Sequence, residues 1–191
     1  MSNDLRKAVY AETAKRIERL LNVRETGSGK AALANLRRGV GRKPGELPEI
    51  WGEIFAGMPE EMYSRSGEPT AAEWAVYIAL TTFALHQQGQ TEAMHKEKRS
   101  FGRAVGILCP NPEGDDAERL LRRFRQVVTA SDMTELSYYL RGLIQLLRAD
   151  GIALDYARLA SDLYDFQFPA SRQRVQLRWG QDFYHQEEKE S

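Results

Sequence analysis

The sequence predicts an all-α protein of two small helical bundles joined by a short loop, and three observations carry that expectation. Apolar residues recur at i, i+3, i+4 and i+7 through most of the chain, the spacing of amphipathic helices. All seven prolines (44, 48, 59, 69, 110, 112 and 169) stand where that periodicity stops. No segment sustains the period-two alternation of a half-buried strand, and no internal repeat is visible.

Residues 4–22 place Leu5, Val9, Ala14, Ile17, Leu20 and Leu21 on one stripe. A short helix over 29–40 sets Ala31, Leu33, Ala34 and Leu36 against Lys30, Arg37 and Arg38, and another over 48–56 gathers Ile50, Trp51, Ile54 and Phe55. Thr70 and Glu73 form a capping box opening a helix that is apolar on nearly every side through Ile78, Leu80 and Phe83, so it should be the central one. Residues 100–108 are one more short helix. A second set follows: 115–129 with Leu120, Phe124 and Val127; a capping box at Asp132 and Glu135 opening the stripe Leu136, Leu140, Leu143, Ile144, Leu147, with Gly151 beyond its end; 155–167; and 170–184. Residues 110–116 hold two prolines, a glycine and three acids. The expected organisation is therefore an N-terminal bundle over 1–109, a C-terminal bundle over 114–184 and a disordered tail over 185–191.

Composition narrows the function. The 191 residues carry 27 Lys and Arg against 27 Asp and Glu, so a uniformly basic binder is excluded and any polyanion site must be a local patch. Hydrophobic residues at 42% and charged residues at 28% suit a globular fold. No apolar run is long enough to cross a membrane, and the N-terminal segment has no signal-peptide pattern. One cysteine and three scattered histidines make a structural zinc site and an internal disulfide unexpected, which suits a cytoplasmic protein without cofactors or metal.

Charge is segregated. Residues 24–43 carry Arg24, Lys30, Arg37, Arg38, Arg42 and Lys43 against Glu25 alone, whereas 46–73 carry seven glutamates against Arg65. Further basic runs are 96–103 (Lys96, Lys98, Arg99, Arg103), 119–125 (Arg119, Arg122, Arg123, Arg125) and 172–178 (Arg172, Arg174, Arg178). Each run alone reads as a solvated helix face. Several on one small chain can converge on a polyanion groove. Arg122 and Arg125 share a face, as do Arg141 and Arg148, seven apart. No aromatic RNA-binding motif, KH loop or zinc knuckle is present, so base-specific readout is not expected.

Catalytic constellations are missing. His86, His95 and His185 form no ligand spacing, and His86 at the end of a core helix reads as a cation favoured by the helix C-terminus. Gly27-Ser28-Gly29-Lys30 lacks the first glycine and the Ser/Thr of a phosphate loop. Cys109 reads as a buried thiol. Trp51, Trp74 and Trp179 lie on apolar stripes and read as core, Trp179 with base stacking held open. No enzyme is expected.

Several segments resemble the CasB family, the small subunit of the type I-E CRISPR surveillance complex Cascade. They are Ala32 to Gly39 (ALANLRRG), Thr82 to Gln88 (TFALHQQ), Ser100 to Val105 (SFGRAV), Arg122-Arg123-Phe124, Leu140 to Arg148 (LRGLIQLLR), Leu154 to Leu159 (LDYARL) and Arg178 to Tyr184 (RWGQDFY). The resemblance implies an all-helical, non-catalytic antiviral-defence protein. Its partners would be other Cascade subunits, crRNA, target DNA and a second copy of itself, with no membrane, and it would hold the R-loop through basic side chains. The matching positions are Lys30, Arg37, Arg38, Arg103, Arg122, Arg123 and Arg141. Lys98, Arg99, Arg174 and Arg178 are further candidates. The main alternative is a purely structural adaptor whose basic faces meet acidic ones such as 46–73 of another protein. A helix-turn-helix regulator over Ala117–Arg148 is a weaker one, because the apolar pattern there suits a bundle hairpin.

Overall fold

The computed structural model describes residues 2–109 and 114–185. Residues 110–113 of the expected boundary, and the expected tail apart from His185, lie outside the described residues. Every regular element described is a helix: α1 (Ser2–Val23), α2 (Gly27–Arg38), α3 (Trp51–Phe55), α4 (Ala71–Gln87), α5 (Phe101–Ile107), α6 (Asp115–Val128), α7 (Met133–Ala149), α8 (Tyr156–Phe166) and α9 (Pro169–Tyr184), with 3-10 turns at Pro48–Ile50 and Glu60–Met62. The segment leading into α5 lies beside the one leading into α8, joined by the isolated bridge between His95 and Leu154.

Local chemistry sets the helix ends. The box at Thr70 forms in full: Glu73 N–H donates to Thr70 Oγ1 at 3.0 Å, and Thr70 N–H donates to Glu73 Oε2 at 2.7 Å. The box at Asp132 forms by half. Asp132 accepts from the Glu135 N–H, but the Glu135 carboxylate takes the N–H and hydroxyl of Ser131, both at 2.7 Å. That carboxylate is thereby held below its ordinary pKa. Gly151 (φ 64°) closes α7 with the Ile152 N–H on the Leu147 carbonyl and the Gly151 N–H on the Arg148 carbonyl.

α4 is the spine. It packs against α1, α2, α3, α7 and α8, and its Ala75, Val76, Ile78, Leu80 and Phe83 are buried. A second group joins α5, α6, α7 and α9, and α8 lies against α9 as well. Helices from both sides of the 110–113 segment enter each group: α8 lies on α1 and α4, and α5 lies on α9. Their buried residues form one continuous apolar cluster.

The α5–α9 contact depends on two glycines. A Cβ on Gly102 would stand 2.3 Å from the Trp179 carbonyl oxygen, and one on Gly106 would stand 2.4 Å from that of Phe183. Both obstacles are backbone, so nothing can rotate away. Gly102→Ala is expected to destabilise the fold by about 1–3 kcal/mol, measured by urea unfolding, because the helices must separate.

Two expectations about single residues are corrected, for Trp51 and His86, and the alternative left open for Trp179 is closed. Trp51 is 47% exposed, its Nε1 donating to the Gly45 carbonyl, because the 3-10 turn before α3 rotates it off the stripe of Ile50 and Ile54. Trp179 is wholly buried, stacked on Phe166 and edge-on to Phe101, so it stacks on no base. His86 is not a favoured helix-end cation. It is fully buried with Nδ1 2.8 Å from the Tyr156 hydroxyl, and burial pushes its pKa down to about 4 against the pull of the Leu147 carbonyl. Since the unfolded chain binds this proton first, stability is complete above about pH 6.5 and falls as pH drops toward 4, by up to about 1.4 kcal/mol per pH unit. Thermal melts at falling pH should show this slope, flattened in His86→Gln.

Candidate nucleic-acid interface

α7 organises the basic surface. Its apolar stripe faces α4 and α6, which leaves Tyr138, Arg141, Gln145 and Arg148 on a different side at spacings of three, four and three. Tyr138, Arg141 and Gln145 are exposed, and Arg148 is half-buried. Arg141 and Arg148 are separated by about 10 Å along the axis at 1.5 Å per residue, about three phosphate spacings of one strand.

At the C-terminal end of α7, Arg148 Nη1 donates to Gln88 Oε1 at 3.0 Å, and the Gln90 amide donates to the Arg148 carbonyl at 2.7 Å. Gln88 and Gln90 also line a cleft of about 230 Å³ with Arg24, Lys30 and Arg37 from the α1–α2 side. Arg37 is close enough to Arg148 to feel its charge: burial first, and then that neighbour, lower its pKa. Arg37 lines this cleft beside Gln88, to which Arg148 donates, so the two guanidinium groups flank one glutamine although 111 residues separate them in the sequence. Toward the other end of α7, Arg141 shares a groove with Arg123 of α6. The line Arg123, Arg141, Arg148, Arg37 therefore runs from the α6–α7 groove along α7 to α2.

The other candidates are placed as follows. Lys30 lies 3.7 Å from Glu25, Arg38 3.5 Å from Glu49 and Arg122 3.5 Å from Glu118, all exposed pairs worth about 0–1 kcal/mol and open to exchange for phosphate. Arg99 donates to the Ala153 carbonyl, and burial with the charge of Arg103 lowers its pKa. The exposed Lys98 adopts a left-handed backbone (φ 65°) that turns its N–H onto Asp155. Arg174 is exposed. Arg178 donates to the buried Asp162, which also takes the Trp179 N–H at 2.7 Å, so this guanidinium helps hold α9 on α8. The acidic stretch 46–73 directs Glu49 to Arg38, Glu53 to Arg19 and Glu73 to the α4 cap. No group of three or more His, Cys, Asp or Glu able to hold a metal occurs among the described residues, and no described helix is long and apolar enough to cross a membrane.

Arg148 and Tyr138, both on this surface, were not candidates by sequence. Arg148 was visible only as the partner of Arg141 at i+7. Tyr138, one turn before Arg141, carried no signal of its own, because a tyrosine next to an apolar stripe reads as core.

Comparison with known proteins agrees with this architecture. A family model described as CRISPR-associated protein Cse2 matches residues 32–184. The crystal structure of CasB from Thermobifida fusca superposes with a TM-score of 0.78 at 34% identity, covering 93% of this chain and 98% of that one. CasB from Thermus thermophilus gives a TM-score of 0.65 at 22% identity over 90% and 97% of the two chains. A chain of a CRISPR RNA-guided surveillance complex gives 0.68 at 20% identity over 92% and 93%. No curated protein sequence matches.

Proposed function

The chain belongs to the Cse2 family of CRISPR-associated proteins, and from that premise we propose that it is a non-catalytic subunit of a cytoplasmic type I-E surveillance complex, Cascade. In this reading it holds the guide–target duplex and the displaced strand of the R-loop by contacts to their backbones. Its partners are the other subunits, crRNA, target DNA and a second copy of itself.

The observation that carries the reading is a run of basic side chains: Arg123 and Arg141 line one groove, and Arg148 and Arg37 stand on either side of Gln88. Folding brings like charges together at a cost, and a bound polyanion relieves it. Guanidinium groups displace counterions from phosphates whatever the base sequence, which suits a subunit that leaves sequence reading to base pairing. R-loop formation exchanges one duplex for another of similar stability, so a few such contacts can tip it.

A filter-binding titration of the full chain with single- and double-stranded DNA and RNA at several salt concentrations tests it. Four backbone contacts should give log K falling with log salt at a slope of about −2.8 on single strands. Binding that is absent, or indifferent to salt, would overturn the proposal.

A further inference from the structure

We infer that the α6–α7 groove is a stacking subsite for an unpaired base, with Tyr138 as the platform and Arg123 and Arg141 holding the flanking phosphates. This rests on the nucleic-acid reading above and adds a contact to the base itself, where that reading has contacts to the backbone alone.

Tyr138 is 71% exposed, the highest exposure among the large apolar and aromatic side chains of the described residues. Its ring stands edge-on to Tyr139, 5.5 Å between centroids at 71°. Tyr139 is itself half-buried and packed against the apolar core. The platform therefore has a fixed support on one side. Intramolecular packing does not account for so exposed a ring.

The groove beside it, about 470 Å³, is within the size of small-ligand sites. Arg123, Arg141, Gln126 and Gln145 contribute to its lining, and no carboxylate does. Arginines without a lining acid favour phosphate, and the two amides can hydrogen-bond any base edge. Gly142, one turn beyond Tyr138, lies in the helix interior, where glycine is unfavourable relative to alanine. A Cβ there would meet nothing within 4 Å, so packing does not require the glycine. Its missing side chain widens the groove. In a duplex both faces of each base are covered by neighbours, so only an unpaired base can lie on Tyr138. Every base has such a face, so recognition is tolerant of sequence.

The test compares the full chain and its Tyr138→Ala and Tyr138→Phe variants on labelled oligothymidylate and on an abasic strand of equal length. Thermal melts of each variant serve as the check on folding. Tyr138→Ala should weaken oligothymidylate binding roughly 5- to 150-fold, leave the abasic strand and the salt slope unchanged, and be rescued by Tyr138→Phe. Gly142→Leu, which fills the groove, should weaken oligothymidylate as well without lowering the melting temperature. If Tyr138→Ala leaves oligothymidylate binding intact while Arg141→Ala weakens it, or if it weakens both strands alike, the stacking subsite is wrong and backbone binding stands. If the wild-type chain binds neither strand, both readings fall together.

Discussion

Replacing Arg37, Arg141 and Arg148 together with alanine is expected to weaken single-stranded DNA binding about 100-fold near ~0.1 M salt. Each phosphate contact releases about 0.7 counterion from a single strand, so it contributes about 0.7 of a log unit per decade of salt below ~1 M. Three contacts make about two log units, and the salt slope should flatten by about two in the same titration. Glutamates at these positions should cost more, because repulsion adds to the lost attraction. The fold should survive: Arg141 is exposed, Arg37 lines a surface cleft, and the half-buried Arg148 gives up one exposed hydrogen bond to Gln88. Arg65→Ala, in the acidic segment beside Glu60, is the control and should change nothing. A triple variant that melts like the wild type and keeps its affinity would show that the line of arginines along α7 does not meet nucleic acid.

Asp162→Ala carries the largest expected loss of stability, about 3–5 kcal/mol by urea unfolding. The carboxylate is wholly buried between α8 and α9. It accepts from the Trp179 indole and from Arg178, and its removal leaves an indole N–H and a guanidinium without their acceptor at the helix contact. The same indole lies among Phe101 and Phe166, so the loss spreads to α5. Asp162→Asn, which can still accept from the indole but has no charge for Arg178, should cost less. Burial pushes the Asp162 pKa up, with Arg178 and the indole pulling against it. A folded-state pKa above the unfolded one favours the folded chain in acid, so Asp162 does not share in the acid sensitivity expected from His86. An unfolding midpoint unchanged in Asp162→Ala would mean that the buried carboxylate does not help hold α9 on α8.

The helices were legible because their signals are local. Thr70 and Glu73 are three residues apart, and the bonds they exchange need no other part of the chain. Pro169 opens α9 within its first turn, and Gly151 closes α7 by its own backbone angle. Where a cap had a competing neighbour, as Glu135 had in Ser131, the pattern fixed the helix start and missed the bond. Exposure was less legible. Trp51 and Trp179 sit on comparable stripes, yet one is half in solvent and the other lies under α5. Periodicity reports which side of a helix is apolar, not what covers it.

The candidate site divides along the same line. Arg141 and Arg148 could be paired from spacing alone, since one helix carries both. That Arg37 and Arg148 flank Gln88, that Arg123 and Arg141 line one groove and that Arg178 turns to Asp162 follow from contacts between elements distant in the chain.

The sequence by itself determined the all-helical class, most helix boundaries and which segments are basic, because caps, prolines and apolar spacing act over a few residues. The tertiary structure alone decided which cations stand together and which are tied to carboxylates. It also decided which aromatic ring faces solvent. Charge–charge distance and burial depend on how α2, α6, α7 and α9 pack, and no short-range rule encodes that.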